Sequence, residues 1–340
     1  MSDIKTPDAP LLKVAIDDGY AQTKLYGIDE DGNVVTHVMR SSVRPGRYGL
    51  GAISGTGNVG LYETDDGSFT VSDEIESENT QFDGFHLSAM NRVLVNHALV
   101  VAGFGGKEVD IITGLPVADF FIRGLKDEEK IEKKKANLKK PVKLDSDDGL
   151  VADIKNVDIG CQAVAAWVDF ALNDDLELRD GVDGAVAIVD IGGRTTDIAT
   201  VVNGQSIDHA RSGTANIGVL DVYKGVESAI GIKYKMRDEF PIATIDKAVR
   251  TGKIHIWGKE EDVADLVSDV IKEYESKISR EVERQIASGA TMNAVVFVGG
   301  GSALFHDIAG TFPNGHLPED PEFANARGLF KYAAYKAANA

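Results

Sequence analysis

Apolar and polar positions along the chain follow two periods. Leu11–Asp17 (LLKVAID), Thr23–Asp29 (TKLYGID) and Asn33–Met39 (NVVTHVM) are short apolar-rich runs separated by turn residues. Their spacing predicts three consecutive strands, the last two joined by a hairpin at Asp31-Gly32. Residues 44–85 are rich in Gly, Ser and Asp and read as a loop-rich insertion with a strand near Ser68–Val71. Over 87–102 the period changes: Leu87, Met90, Val93, Leu94, His97, Ala98 and Val101 fall on one helical face. A strand over 109–116 follows, ended by Gly114 and Pro116. Then come a charged, largely helical stretch over 119–140, a strand over 151–157 and a helix over 161–173.

The second half begins again in the same way. Residues 184–193 (GAVAIVDIGG) read as a buried strand ending in a Gly turn, and 194–205 as a strand ending at Asn203-Gly204, with 206–213 continuing it. Residues 261–286 form a long amphipathic helix, with Val263, Leu266, Val267, Val270, Ile271, Tyr274, Ile278, Val282 and Ile286 on one face. Residues 294–305 read as a strand, a triple-Gly turn and a helix start, and 328–338 as a helix. VAIDDGYAQTKLYGIDEDGNV and AIVDIGGRTTDIATVVNGQSI share one order: strand, Asp-x-Gly, polar turn, strand, hairpin turn, strand. A whole domain is duplicated.

With 340 residues the chain has length for two domains of roughly 150–170 residues. The expected division is a disordered leader over 1–10, domain I over 11–160 completed by a C-terminal helix near 320–340, and domain II over 161–319 with a helical subdomain near 220–290. No apolar run approaches the roughly 20 residues that span a bilayer, and the start lacks a secretory pattern. The single Cys161 makes no internal disulfide and reads as packing, and the seven histidines show no metal-ligand spacing. A cytoplasmic protein is expected. Acidic residues outnumber basic ones 54 to 36, a net charge of −18, which disfavours direct contact with nucleic acid and points to a separate basic partner for any DNA role.

Three turns carry the candidate chemistry. In the first, Asp17, Asp18, Gly19 and Lys24 offer backbone amides, a positive charge for phosphates and a carboxylate for a hydrated magnesium ion. In the second, Gly192 and Gly193 bare the backbone, Thr195 and Thr196 offer hydroxyls, and Asp190 and Asp197 flank the turn with carboxylates. In the third, Gly299, Gly300, Gly301 and Ser302 stand between a strand and an expected helix. Each alone is compatible with a plain structural turn. Together they describe a nucleotide held between duplicated domains, the layout of the actin-like ATPase fold. Lys126–Lys140, with seven lysines against four acidic residues, reads as a solvated helix face, and Phe120 and Phe121 as core.

The sequence resembles the plasmid-segregation actin-like ATPases of the ParM (StbA) family. The resemblance rests on IDDGYAQTKL (16–25), VNHALV (95–100), VDIITGLPVADFF (109–121), IEKKKANLKKPVKL (131–144), VDIGGRTTDIA (189–199), IGVLDV (217–222) and FVGGGSAL (297–304). It implies an α/β fold of two duplicated RNase H-like domains with mixed sheets flanking a nucleotide cleft, ATP or ADP (GTP as the alternative) with Mg²⁺, and hydrolysis coupled to filament dynamics. It makes Asp17 and Asp190 the water-mediated magnesium carboxylates and Lys24 the phosphate lysine. Gly192, Gly193 and Thr195 become the second phosphate turn, with Gly299, Gly300 and Gly301 against the adenosine. Gln162 becomes the residue that orients the attacking water, joined by Asp197. Tyr20 stands where many relatives carry a small residue. Arg194 reads first as a solvent-facing residue, with a phosphate contact as the alternative; Arg211, Asn216 and Gly218 are candidates for the ribose. The implied partners are further copies of the chain, head to tail, and a DNA-binding adaptor of the ParR type. Another bacterial or phage actin-like filament, and a small-molecule kinase on the same fold, are the alternatives.

Overall fold

The computed structural model describes residues 11–338 except 49–58, 73–76, 147–148, 181 and 306. The expected leader over 1–10 lies outside the described residues, as does part of the 44–85 insertion.

The first apolar runs form β1 (Leu12–Asp18), β2 (Gln22–Ile28) and β3 (Val34–Arg40), an antiparallel meander. The insertion is more regular than expected. β4 (Val43–Pro45), β5 (Gly60–Thr64) and β6 (Gly67–Val71) make a small sheet in the order β10-β5-β6-β4, completed by a later strand, β10. The strands are only three to five residues long, too short to show a period among Gly and Asp. They fold because Val43, Tyr62, Phe69 and Val71 bury against Val93 and Leu94 of α1 (Ala89–Leu99). α1 is capped by Ser88, whose side chain accepts from the Asn91 amide.

β7 (Glu108–Leu115) leads through the single turn α2 (Val117–Phe120) into a ribbon, β8 (Phe121–Ile122) and β9 (Leu125–Lys126). This ribbon interrupts the helix expected over 119–140; the helix itself is α3 (Glu128–Leu138), capped by Asp127. β10 (Val142–Leu144) and β11 (Asp153–Cys161) follow, and the first main sheet has the order β11-β7-β1-β2-β3. α1 covers one of its faces through Val95, Ala98 and Leu99.

α4 (Gln162–Ala171) crosses to the second main sheet, built from β12 (Ala185–Ile191) and β13 (Thr196–Val202). The short β14 (Ser206–Ile207) and β15 (Gly213–Ala215) lie on β13, with a turn over His209–Arg211 between them, so 206–213 is not one continuing strand. α5 (Val219–Tyr234), α6 (Ile242–Thr251), the hairpin β16 (Lys253–Ile256) and β17 (Lys259–Asp262), and α7 (Ala264–Ile286) pack together over the outer face of this sheet. β18 (Ala294–Val298) runs parallel to β12, and β19 (Gly315–His316) to β18. After Gly301 the chain continues in tight turns. Among the described residues no α-helix intervenes before α8 (Ala324–Ala338), so the triple glycine does not open onto a helix N-terminus.

α4 and α8 cross between the two sheets. Ala166, Trp167 and Ala171 of α4 bury against Val186, Ile188 and Val201 of the second sheet, while Leu329 of α8 buries against Ala15 and Ile112 of the first. At the crossing, a Cβ on Gly328 would overlap the Ala165 carbonyl. Arg327 grips the buried Asp169 with two bonds of 2.7 Å. Gly328→Ala is therefore expected to cost about 1–3 kcal/mol by overpacking, read as a fall in the thermal midpoint; an unchanged midpoint would mean that the helices separate freely.

Candidate active site

The two duplicated hairpins share one register. Asp17 stands opposite Lys24 across β1 and β2, and Asp190 stands opposite Asp197 across β12 and β13. The second-half counterpart of Lys24 is thus a carboxylate. Gly193 lets the two turns meet, because a Cβ there would lie 2.5 Å from that of Ala21. Asp17, Asp190 and Asp197 all line the cleft between the hairpins.

Side chains alternate along a strand, so Asp18 points away from Asp17. This corrects its assignment to the phosphate turn. Asp18 is fully buried, held by Lys134 Nζ at 2.7 Å, by the Asn91 amide at 2.7 Å and by the Thr113 hydroxyl. Burial alone would raise its pKa, but the Lys134 ammonium and His86 hold it below the usual carboxylate range. Lys134 also donates to the Gly114 carbonyl. The lysine-rich helix is therefore not solvated throughout: Lys134 and Asn137 are buried, and Asn137 accepts from Arg92 Nη1 at 2.8 Å.

Gln162 is the first residue of α4, directly after β11. Its Nε2 donates to Asp17 Oδ1 at 3.0 Å. Gly114 makes room for it, since a Cβ there would lie 2.5 Å from Gln162 Cγ. Lys24 Nζ lies 3.4 Å from Asp17 Oδ2. Asp197 accepts from Thr195 Oγ1 at 3.0 Å and from the Thr214 hydroxyl.

Three buried carboxylates thus share a cleft in which Lys24 is the buried cation. Burial, reinforced by the charge of Asp17, pushes Asp190 up to about 7, and burial also raises Asp197. That charge imbalance suits a divalent cation. Among the described residues no three His, Cys, Asp or Glu side chains converge to chelate an ion directly. In the free protein Asp190 is protonated below about pH 7, whereas its ordinary value is 3.8. The resulting stabilisation is complete below 3.8 and lost as pH rises through about 7. Asp190→Asn is therefore expected to melt above the wild type at pH 8, with the gap closing toward pH 5. A gap independent of pH would contradict this environment for Asp190.

The cleft encloses about 510 Å³, within the range of small-molecule sites. Gly19, Tyr20, Gly192, Gly193, Thr195, Gly300 and Gly301 line it as expected. Its far end was not read from the sequence. There Leu220, Ile242, Val249 and Leu304 form apolar walls around Tyr223, Asp246 and Arg250, with Arg250 Nε 3.0 Å from Asp246 Oδ1. The available signal was the helical spacing of Ile242, Asp246 and Val249.

Several predicted residues lie elsewhere. Arg194 pairs with Asp83 at 2.9 Å and lies 5.4 Å from the Tyr20 ring centre, bridging the two halves at the mouth of the cleft rather than facing phosphate. Gly218 packs behind the second turn, where a Cβ would overlap the Gly193 carbonyl. Gly299, at φ +88°, sits behind Asp190, whose carboxylate a Cβ would overlap. Ser302 is fully buried and donates to the Val298 carbonyl. Arg211 pairs with Asp208 at 2.7 Å outside the cleft, and Asn216 does not line it. Phe120 is buried, with Phe121 half-buried beside it. Cys161 is buried, and burial pushes its thiol up to about 12, which makes it a packing residue.

Residues 12–171 match the family model of the N-terminal domain of the plasmid segregation protein ParM (StbA), and residues 188–308 that of the C-terminal domain of archaeal MreB-like actin homologues. No curated protein sequence matches the chain. Similar solved structures include a non-polymerisable quadruple mutant of pCBH ParM, 20% identical over 96% of this chain and 100% of that one, at a TM-score of 0.76. A 15-stranded ParM filament from Clostridium botulinum is 20% identical over 96% and 99%, at 0.74. The archaeal actin homologue Ta0583, in complex with ADP, is 22% identical over 96% and 100%, at 0.73. The fold is actin-like.

Proposed function

We propose, from the premise that this chain is an actin-like protein with a ParM-type N-terminal domain, that it hydrolyses ATP and polymerises head to tail into filaments that segregate plasmid DNA. The observation that carries this reading is the cleft itself. Two equivalent hairpins face each other with buried carboxylates, and the amide of Gln162 is held against one of them.

Hydrolysis here is phosphoryl transfer to water, in which the protein positions and neutralises. A bound magnesium ion would supply positive charge to the phosphates, held through water by Asp17 and Asp190. Lys24 and the backbone amides of the glycine turns bind phosphate oxygens. Asp197, accepting from both threonine hydroxyls, fixes Thr195 at the second turn. Gln162 orients the attacking water; a neutral amide does not take its proton, so the proton leaves through water or phosphate.

Filament growth follows from a heterologous contact that does not close on itself. DNA contact falls to a separate basic adaptor of the ParR type, a reading that the net charge of −18 supports because it disfavours direct contact with phosphates. Among the described residues no helix is long and apolar enough to cross a membrane, and we place the protein in the cytoplasm. Phosphate release from Mg-ATP distinguishes this reading from a kinase on the same fold. Release by the purified chain alone, not increased by a panel of sugars and small alcohols, supports the ATPase. ADP production that requires an acceptor would overturn it.

A further inference from the structure

We propose that Asn325 is a second amide of the hydrolytic centre, a positioning residue that fixes Asp190 and offers an acceptor oxygen to water in the cleft. The inference rests on the nucleotide reading of the site. Asn325 is the second residue of α8, is 4% exposed and lines the cleft. Its Nδ2 donates to Asp190 Oδ2 at 2.8 Å. Its Oδ1 is buried and has no hydrogen-bond partner. A buried carbonyl of this kind is costly unless something satisfies it. The cleft is where a partner can enter, and what fits is an O–H donor: a water of a hydrated cation, or the water that attacks.

The arrangement mirrors Gln162. Each amide stands in the first turn of a helix and donates to the carboxylate of its own half, Gln162 to Asp17 and Asn325 to Asp190. Each helix then crosses to the opposite sheet. Two residues beyond Asn325, Arg327 grips Asp169 of α4, and Gly328 lies against Ala165. The two amides are therefore mounted on one locked crossing, which fixes the separation of the carboxylates they hold. Outer partners of this kind tune ion affinity about 10–100-fold.

The test compares wild type, Asn325→Leu and Asn325→Asp in the full chain. Binding of Mn²⁺ in the presence of ADP is read from the free-ion paramagnetic resonance signal. ADP binding in EDTA, kcat and KM for ATP, and the thermal midpoint are measured in parallel. Asn325→Leu is expected to weaken Mn²⁺ about tenfold and lower kcat about tenfold, with ADP affinity in EDTA within about twofold of wild type. Asn325→Asp keeps the shape and the acceptor but loses the donor, so it is expected to retain Mn²⁺ while kcat falls. Wild-type Mn²⁺ affinity and kcat in both variants would overturn the inference, as would an equal loss of ADP in EDTA, which marks a merely structural role. A wild-type protein that binds no nucleotide with or without the ion would overturn the reading of the site itself.

Discussion

Replacing Gln162 with alanine is expected to lower kcat for the proposed ATP hydrolysis about 100-fold, a loss of about 2.7 kcal/mol of transition-state stabilisation, and to leave KM within a few-fold of wild type. The asymmetry follows from position. Gln162 Nε2 holds Asp17 at 3.0 Å from the head of α4, and both line the cleft; in the proposed function the turn amides, Lys24 and the apolar far end would hold the nucleotide instead. A group that orients water acts in the transition state and contributes little to ground-state binding. If hydrolysis sheds the polymer, as the proposed function has it, polymer of the variant is expected to outlast that of the wild type. Single-turnover phosphate release and nucleotide affinity, measured separately, check the split. A wild-type hydrolysis rate would remove Gln162 from the centre, and an equal loss of affinity would make it a structural prop for Asp17.

Lys134→Met is expected to lower the stability of the folded protein by about 3–5 kcal/mol, the cost of leaving a buried carboxylate without its cation. Lys134 and Asp18 are both fully buried, 2.7 Å apart. The same ammonium bonds the Gly114 carbonyl at the end of β7, so its loss also loosens the strand beside Gln162. Adding Asp18→Asn to Lys134→Met is expected to recover part of the stability, because a neutral amide needs no cation and its oxygen can still accept from Asn91 or Thr113. Chemical denaturation of both single variants and the double variant forms a cycle that isolates the pair. Additive losses would show that the two residues do not depend on each other.

The duplicated strand–turn–strand units were legible because each carries its own signal: a run of β-branched residues, an Asp-x-Gly turn and a second strand. Asp17, Asp190, Asp197, Gln162, Gly19, Gly192, Gly193, Gly300 and Gly301 line one cleft, and Gly299 does not. What escaped depends on contacts distant in sequence. Asp17 and Asp18 are adjacent carboxylates, and which of them faces the cleft depends on which side of β1 carries Lys134, 116 residues away from Asp18. That lysine is one of seven in a run whose composition reads as solvated, and only the packing of α3 on the first sheet buries it. The small sheet within 44–85 is made of strands too short for a period and is held by α1. Asn325 stands 135 residues from Asp190, within a helix whose sequence pattern reports apolar spacing and nothing of the carboxylate it reaches. Arg194, set between a glycine and a threonine of the second turn, reads as facing solvent or phosphate, and neither reading anticipates its pairing with Asp83, 111 residues away.

The central claim is that nucleotide turnover in this cleft drives reversible assembly of the chain. Right-angle light scattering and sedimentation of the purified protein with Mg²⁺ and ATP, ADP or a non-hydrolysable analogue, with phosphate followed in the same reaction, test it most directly. Rapid scattering with ATP that decays as phosphate appears, lasting polymer with the analogue, and little or none with ADP are expected. Steady ATP turnover with no pelletable polymer at any protein concentration would contradict it.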